Sequence, residues 1–86
     1  MGDTSKTAFA GGKRVEVDFG ARQCKIQGKQ HIDRFHFVDA RGRVDLYRKL
    51  MARRKAKRDE KGTAAYAASL AAAEKALDMI KNEGQP

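Results

Sequence analysis

From Arg14 to Phe19 the chain alternates strictly between charged and apolar side chains, Arg14-Val15-Glu16-Val17-Asp18-Phe19. A period of two places Val15, Val17 and Phe19 on one face, the pattern of a strand with one side buried. The next segment fits it in one register. With Gly20-Ala21 as a two-residue type II′ turn, glycine first, Val17 falls opposite Cys24 and Val15 opposite Ile26. On the other face the same register sets Glu16 against Lys25, an opposite-charge cross-strand pair.

Gly28-Lys29-Gln30 turns the chain again, and residues 32–38 read as a third strand, rich in Phe and β-branched residues. Its alternation is poor, with Ile32 and Val38 on one side and Phe35 and Phe37 on the other. Asp39-Ala40-Arg41-Gly42 carries the signature of a type I turn with glycine in the left-handed position. A short fourth strand around Arg43-Val44 has room to follow. Residues 1–12 are small and polar, end in Gly11-Gly12 and read as a loose tail.

The period then lengthens. Asp45 is placed to cap a helix over residues 46–61, Gly62 to end it and Thr63 to cap a second helix over 64–82. In the second helix Tyr66, Leu70, Ala73, Leu77 and Ile80 recur at spacings of four and three, a heptad-like seam about two heptads long. A link as short as Gly62-Thr63 makes the two helices antiparallel. Leu46 and Leu50 then lie near Leu77 and Ile80. Arg54, Lys57 and Arg58 lie at the far tip, their stems over Tyr66 with a cation–π contact expected there.

The fold class expected is α+β: an antiparallel β-meander of three strands, or four, followed by an antiparallel two-helix hairpin packed on one face. The expected organisation is a tail over 1–12, a single domain over 13–82 and a frayed end over 83–86. The total of 86 residues suits one modest core.

Charge sharpens this picture. The net charge is +8, distributed as +3 over residues 1–42, +6 over 43–62 and −1 over 63–86. The cations therefore mark a place rather than the whole surface. Along the first helix Leu46, Tyr47, Leu50 and Met51 share one arc, and Arg54, Lys57, Arg58 and Lys61 continue it. An arc that should bury a core becomes cationic after Met51. Arg53, Arg54, Lys55, Lys57 and Arg58 are accordingly the candidate nucleic-acid-binding residues, contacting phosphates by charge. The plain counter-reading is a solvated face that keeps a small protein soluble. Base-reading specificity is not expected, because no Asn or Gln accompanies the arginines on that helix. DNA or RNA is the expected partner. A protein partner, held by the helical hairpin or by a sheet edge, is the alternative.

Other chemistries find little support. Cys24, His31 and His36 are the only soft metal ligands, and a structural zinc site normally takes four. The two histidines, an odd number apart, point to opposite faces of a regular strand. Cys24 falls on the core face, where a thiol is inert. Gly11-Gly12-Lys13 lacks the spacing and the following helix of a phosphate loop. The expectation is therefore a non-enzymatic protein with no catalytic residues, no metal and no cofactor. One cysteine forms no internal disulfide, and no apolar run reaches membrane-spanning length. Both point to a cytoplasmic protein without membrane association. The start Met1-Gly2 lacks the Ser or Thr that a myristoylation signal wants at position six, which is Lys6. The sequence does not set the oligomeric state.

Overall fold

A computed structural model describes residues 5–29 and 31–84, with side chains as far as Asn82. Four strands form one antiparallel sheet in the order β1-β2-β3-β4: β1 Ser5–Ala10, β2 Lys13–Asp18, β3 Gln23–Gln27 and β4 Ile32–His36. A 3-10 turn over Phe37–Asp39 leads into α1, Ala40–Ala56, and α2 follows as Glu60–Gly84. The α+β meander with a helical hairpin on one face is thus the architecture observed.

The β2–β3 register is the one the alternation dictates: Val17↔Cys24, Val15↔Ile26 and Glu16↔Lys25. The Glu16 carboxylate lies 3.3 Å from the Lys25 ammonium and 3.0 Å from Arg14. The turn differs from the type II′ expectation. It spans 19–22, and Arg22, not Gly20, takes the left-handed conformation, with φ 56°. Asp18 supplies the reason: its carboxylate accepts the backbone N–H groups of Gly20 and Ala21, holding an Asx-type turn.

The fourth strand comes from the other end of the chain. Residues 5–10 are not a loose tail; they pair with β2 in the register Ala8↔Val15 and Ala10↔Lys13. Gly11 and Gly12 join the strands as a two-residue turn with φ of 61° and 74°, the left-handed pair that a type I′ hairpin requires. A Cβ on Gly11 would run into the carbonyl of Ala68 on α2, so this turn sits directly against the helix. Residues 1–4 lie outside the described residues, as do 85–86 of the expected frayed end. The α2 backbone continues through residues 83 and 84.

Arg43-Val44 is not a strand. The chain enters α1 at Ala40, six residues before the expected start, and Asp45 lies inside the helix rather than capping it. Gly42 is helical too, so the type I turn at 39–42 gives way to the 3-10 turn. That turn is secured from the hairpin, since Phe37 N–H donates to the Arg22 carbonyl at 3.0 Å. Phe37 also meets Phe19 edge-on, their ring centroids 5.6 Å apart.

The core lies between the sheet and the helices. Val15, Val17, Cys24, Ile26 and Phe35 come from the sheet, Ala40 and Val44 from α1, and Leu70, Ala72, Ala73 and Ala76 from α2. α2 crosses β1, β2 and β3 while α1 packs along its other side. It therefore buries two stripes rather than one. The expected seam supplies Leu70 and Ala73 towards α1. Ala72 and Ala76, off that seam, are fully buried. With no side chain beyond Cβ, they let the helix axis come close to the sheet. Leu46, expected in the interhelical core, is 42% exposed.

α1 reaches the sheet through long side chains. The Tyr47 hydroxyl donates to the Asp33 carboxylate on β4 at 2.6 Å. Arg43 lies 3.2 Å from the same carboxylate and over the Phe35 ring, 5.3 Å from its centroid. Among the described residues the cation–π contact is thus at Arg43 and Phe35. Tyr66, expected beneath the basic stems, instead stacks near Tyr47 with centroids 6.4 Å apart.

Candidate nucleic-acid interface

The five cations singled out in the sequence do not lie along one continuous helix. Arg53, Arg54 and Lys55 form the last turn of α1. Lys57 and Arg58 make the link to α2, with Arg58 in the left-handed conformation at φ 58°. The link is therefore Lys57–Arg58–Asp59 rather than Gly62-Thr63. Lys57 N–H donates to the carbonyls of Arg53 and Arg54, Arg58 N–H to that of Lys55, and Asp59 N–H to that of Arg54. These bonds occupy carbonyls that a helix end leaves without partners.

Asp59 begins α2. Its carboxylate accepts the Gly62 N–H at 2.9 Å, and its carbonyl accepts both the Thr63 N–H and the Thr63 hydroxyl. Asp59, not Thr63, is the cap, and Gly62 lies in the first turn rather than at a helix end. A Cβ on Gly62 would press into the Asp59 carboxylate and the Arg54 stem, so glycine lets those two groups meet there. The Arg54 guanidinium lies 3.5 Å from that carboxylate.

The site therefore divides. Arg54 is committed to the turn between the helices. Arg53, Lys55, Lys57 and Arg58 are exposed, and no ion pair holds any of them among the described residues. Part of the local charge serves the helix ends: cations in the last turn of α1 and Glu60 in the first turn of α2 both suit the helix dipoles. Four unpaired cations within six residues nevertheless leave a concentrated positive field.

The hairpin carries this charge beyond the sheet. The β1–β2 turn meets α2 at Ala68, eight residues after Glu60. At 1.5 Å per residue, the start of α2 extends about 12 Å past that contact. Between the helices at the tip lies a shallow groove lined by Met51, Ala64 and Ala67, with Lys55 and Arg58 on its rim beside Asp59 and Glu60.

Among the described residues no three His, Cys, Asp or Glu side chains gather as a metal site would require. Cys24 is buried against the helices, whereas His36 pairs with Gln23 on the row that faces away from them. Burial pushes the Cys24 thiol up to about 11. Burial and then the hydrogen bond to Asp33 push the Tyr47 phenol well above its usual range. Neither group titrates near neutrality. No helix among the described residues is long and apolar enough to cross a membrane. Among the described residues the exposed large apolar side chains, Phe9, Ile32, Val38 and Leu46, lie on four different elements.

The cations are legible in the sequence, whereas the role of Asp59 is hidden by the expectation of a first helix running to residue 61. The available signal was Asp59-x-x-Gly62-Thr63, a capping residue whose side chain reaches the N–H three positions on. Comparison with known proteins finds no matching family model, no matching curated protein and no matching solved structure.

Proposed function

We propose that this is a non-enzymatic protein that binds nucleic acid by charge, through the tip of its helical hairpin. The observation that carries this reading is the group Arg53, Lys55, Lys57 and Arg58: exposed, without ion pairs among the described residues, and held at a projecting tip. Cations in such a place release condensed counterions when they meet phosphates. The scattering of exposed apolar residues favours this reading over a protein-binding surface, which would gather them.

The partner is DNA or RNA, read with little preference for sequence, because no Asn or Gln accompanies the arginines of the tip. With about four phosphates engaged on a duplex, the slope of log affinity against log salt is roughly −3.6. The test is a titration with short duplex and single-stranded oligonucleotides at two salt concentrations, followed by backbone amide shifts. Changing Arg53, Lys55 and Lys57 together to Gln should flatten the slope and weaken binding to all sequences alike. Absence of binding by the wild-type protein at low salt would sink the reading and turn attention to a protein partner.

A further inference from the structure

A second cationic site lies at the base of the projecting hairpin. The β1–β2 and β3–β4 turns come to the same end of the sheet, where they face α2. Gly11, Gly12, Lys13, Gly28, Lys29 and His31 line a notch there, closed on the helix side by α2 between Ala65 and Ser69. Among the described residues no acidic side chain lines it.

Lys13 belongs to this notch because of its neighbour across the hairpin. Continuing the β2–β3 register by one step from Arg14↔Gln27 sets Lys13 opposite Gly28. A Cβ on Gly28 would lie 2.7 Å from the Lys13 ammonium, so the missing side chain is what lets the lysine lie across that position. The Gly28 N–H donates to the His31 carbonyl at 2.9 Å. Lys29 and His31 are exposed beside it. As the first residue of β2, Lys13 is anchored.

We infer that this notch binds a phosphate group. Cations brought together with no carboxylate among them repel one another, and an anion removes that cost. Small, glycine-built walls leave room for a tetrahedral oxyanion to come close. This deepens the reading given above: the phosphate is a second contact point for the nucleic acid held at the tip. Lys61, exposed on the α2 face one turn before Ala65, lies between the two. The notch is about 12 Å along α2 from its start, so one polyanion spans both. Two linked contacts bind far better than either alone.

The test uses the full chain, followed by backbone amide shifts, titrated separately with inorganic phosphate and with a duplex oligonucleotide. Gly28→Ala displaces the Lys13 ammonium without changing the charge, and Gly28 is not among the glycines with positive φ, so alanine is accommodated. Lys29→Gln with His31→Gln removes the exposed Lys29 ammonium and the His31 ring beside it. Each variant's thermal midpoint is measured alongside. Both phosphate and oligonucleotide should shift the amides of Gly12, Lys13 and Gly28. The double substitution should make the oligonucleotide salt slope shallower by about 0.9, one phosphate's share. Gly28→Ala should weaken oligonucleotide binding with the midpoint maintained. If phosphate moves the notch amides but oligonucleotides do not, the notch takes free phosphate and the nucleic-acid reading fails alone. Notch amides that respond to neither titrant overturn the inference. So does a double variant with unchanged affinity and slope, and in that case weakening by the tip substitutions would still uphold the tip.

Discussion

The hydroxyl of Tyr47 donates to the carboxylate of Asp33 at 2.6 Å, joining the middle of α1 to β4. Arg43 lies 3.2 Å from the same carboxylate, so Asp33 gathers both side chains of the helix that faces it. Tyr47→Phe keeps the ring and removes the donor. Hydrogen bonds to charged groups are worth about 1.5–3 kcal/mol, and partial exposure brings the expected loss to the low end. Urea unfolding of the two proteins measures it. Equal midpoints would mean that the Tyr47–Asp33 hydrogen bond contributes nothing net to the hold of α1 on the sheet.

The two buried stripes of α2 make a second prediction. Ala72 is fully buried against the sheet, so Ala72→Leu should overpack it and cost about 1–3 kcal/mol. Leu70→Ala opens a cavity between the helices and should cost about 2–5 kcal/mol. Had the seam been the only buried stripe, Ala72→Leu would be nearly silent. Thermal unfolding of both variants decides.

Arg58 holds φ at 58°, a conformation that is unfavourable for a residue with a Cβ. Arg58→Gly should therefore stabilise the fold by about 1 kcal/mol while removing one cation from the tip. Stability and oligonucleotide affinity should move in opposite directions. Arg58→Lys, which keeps both the charge and the strain, should change neither appreciably. A variant in which glycine lowers the unfolding midpoint would show that the arginine side chain contributes more to the link than its backbone costs.

Asp59 holds the start of α2 and neutralises Arg54. Asp59→Ala should cost about 0.5–2 kcal/mol through the lost cap. It also frees the Arg54 guanidinium, so oligonucleotide binding at low salt should strengthen. Asp59→Asn preserves a capping oxygen and removes the charge. It should retain most of the stability and show the same gain in binding, which separates the two roles.

Cys24 gives a prediction in pH. Burial raises its thiol from 9.0 to about 11, so between those values the unfolded chain releases a proton that the native state keeps. The native state then binds more protons, and stability falls as pH rises. This contribution is complete below pH 9.0 and lost as pH passes through about 11. Cys24→Ala should unfold with a shallower alkaline slope, read from midpoints across that range. At neutral pH a thiol reagent should label the wild-type protein only as fast as it opens. Rapid stoichiometric labelling of folded protein would place the thiol at the surface.

Periodicity in the sequence determined the β2–β3 register to the residue, because a strand with one buried face admits only one register. It also determined the α+β class, the helical hairpin and the five cations at its tip. The rest depended on contacts distant in sequence. Ser5–Ala10 carries weak alternation and small side chains, and it becomes a strand because β2 offers it a free edge and α2 a surface for Gly11. Residues 40–45 read as turn and strand, yet they are helical where Phe37 is fixed by Arg22, Ala40 and Val44 are buried, and Arg43 reaches Asp33. Ala72 and Ala76 became core only because α2 is covered on two sides. The notch is a product of tertiary structure altogether. Lys13 and Lys29 are sixteen residues apart in the chain, and only the meander brings their turns to one end of the sheet.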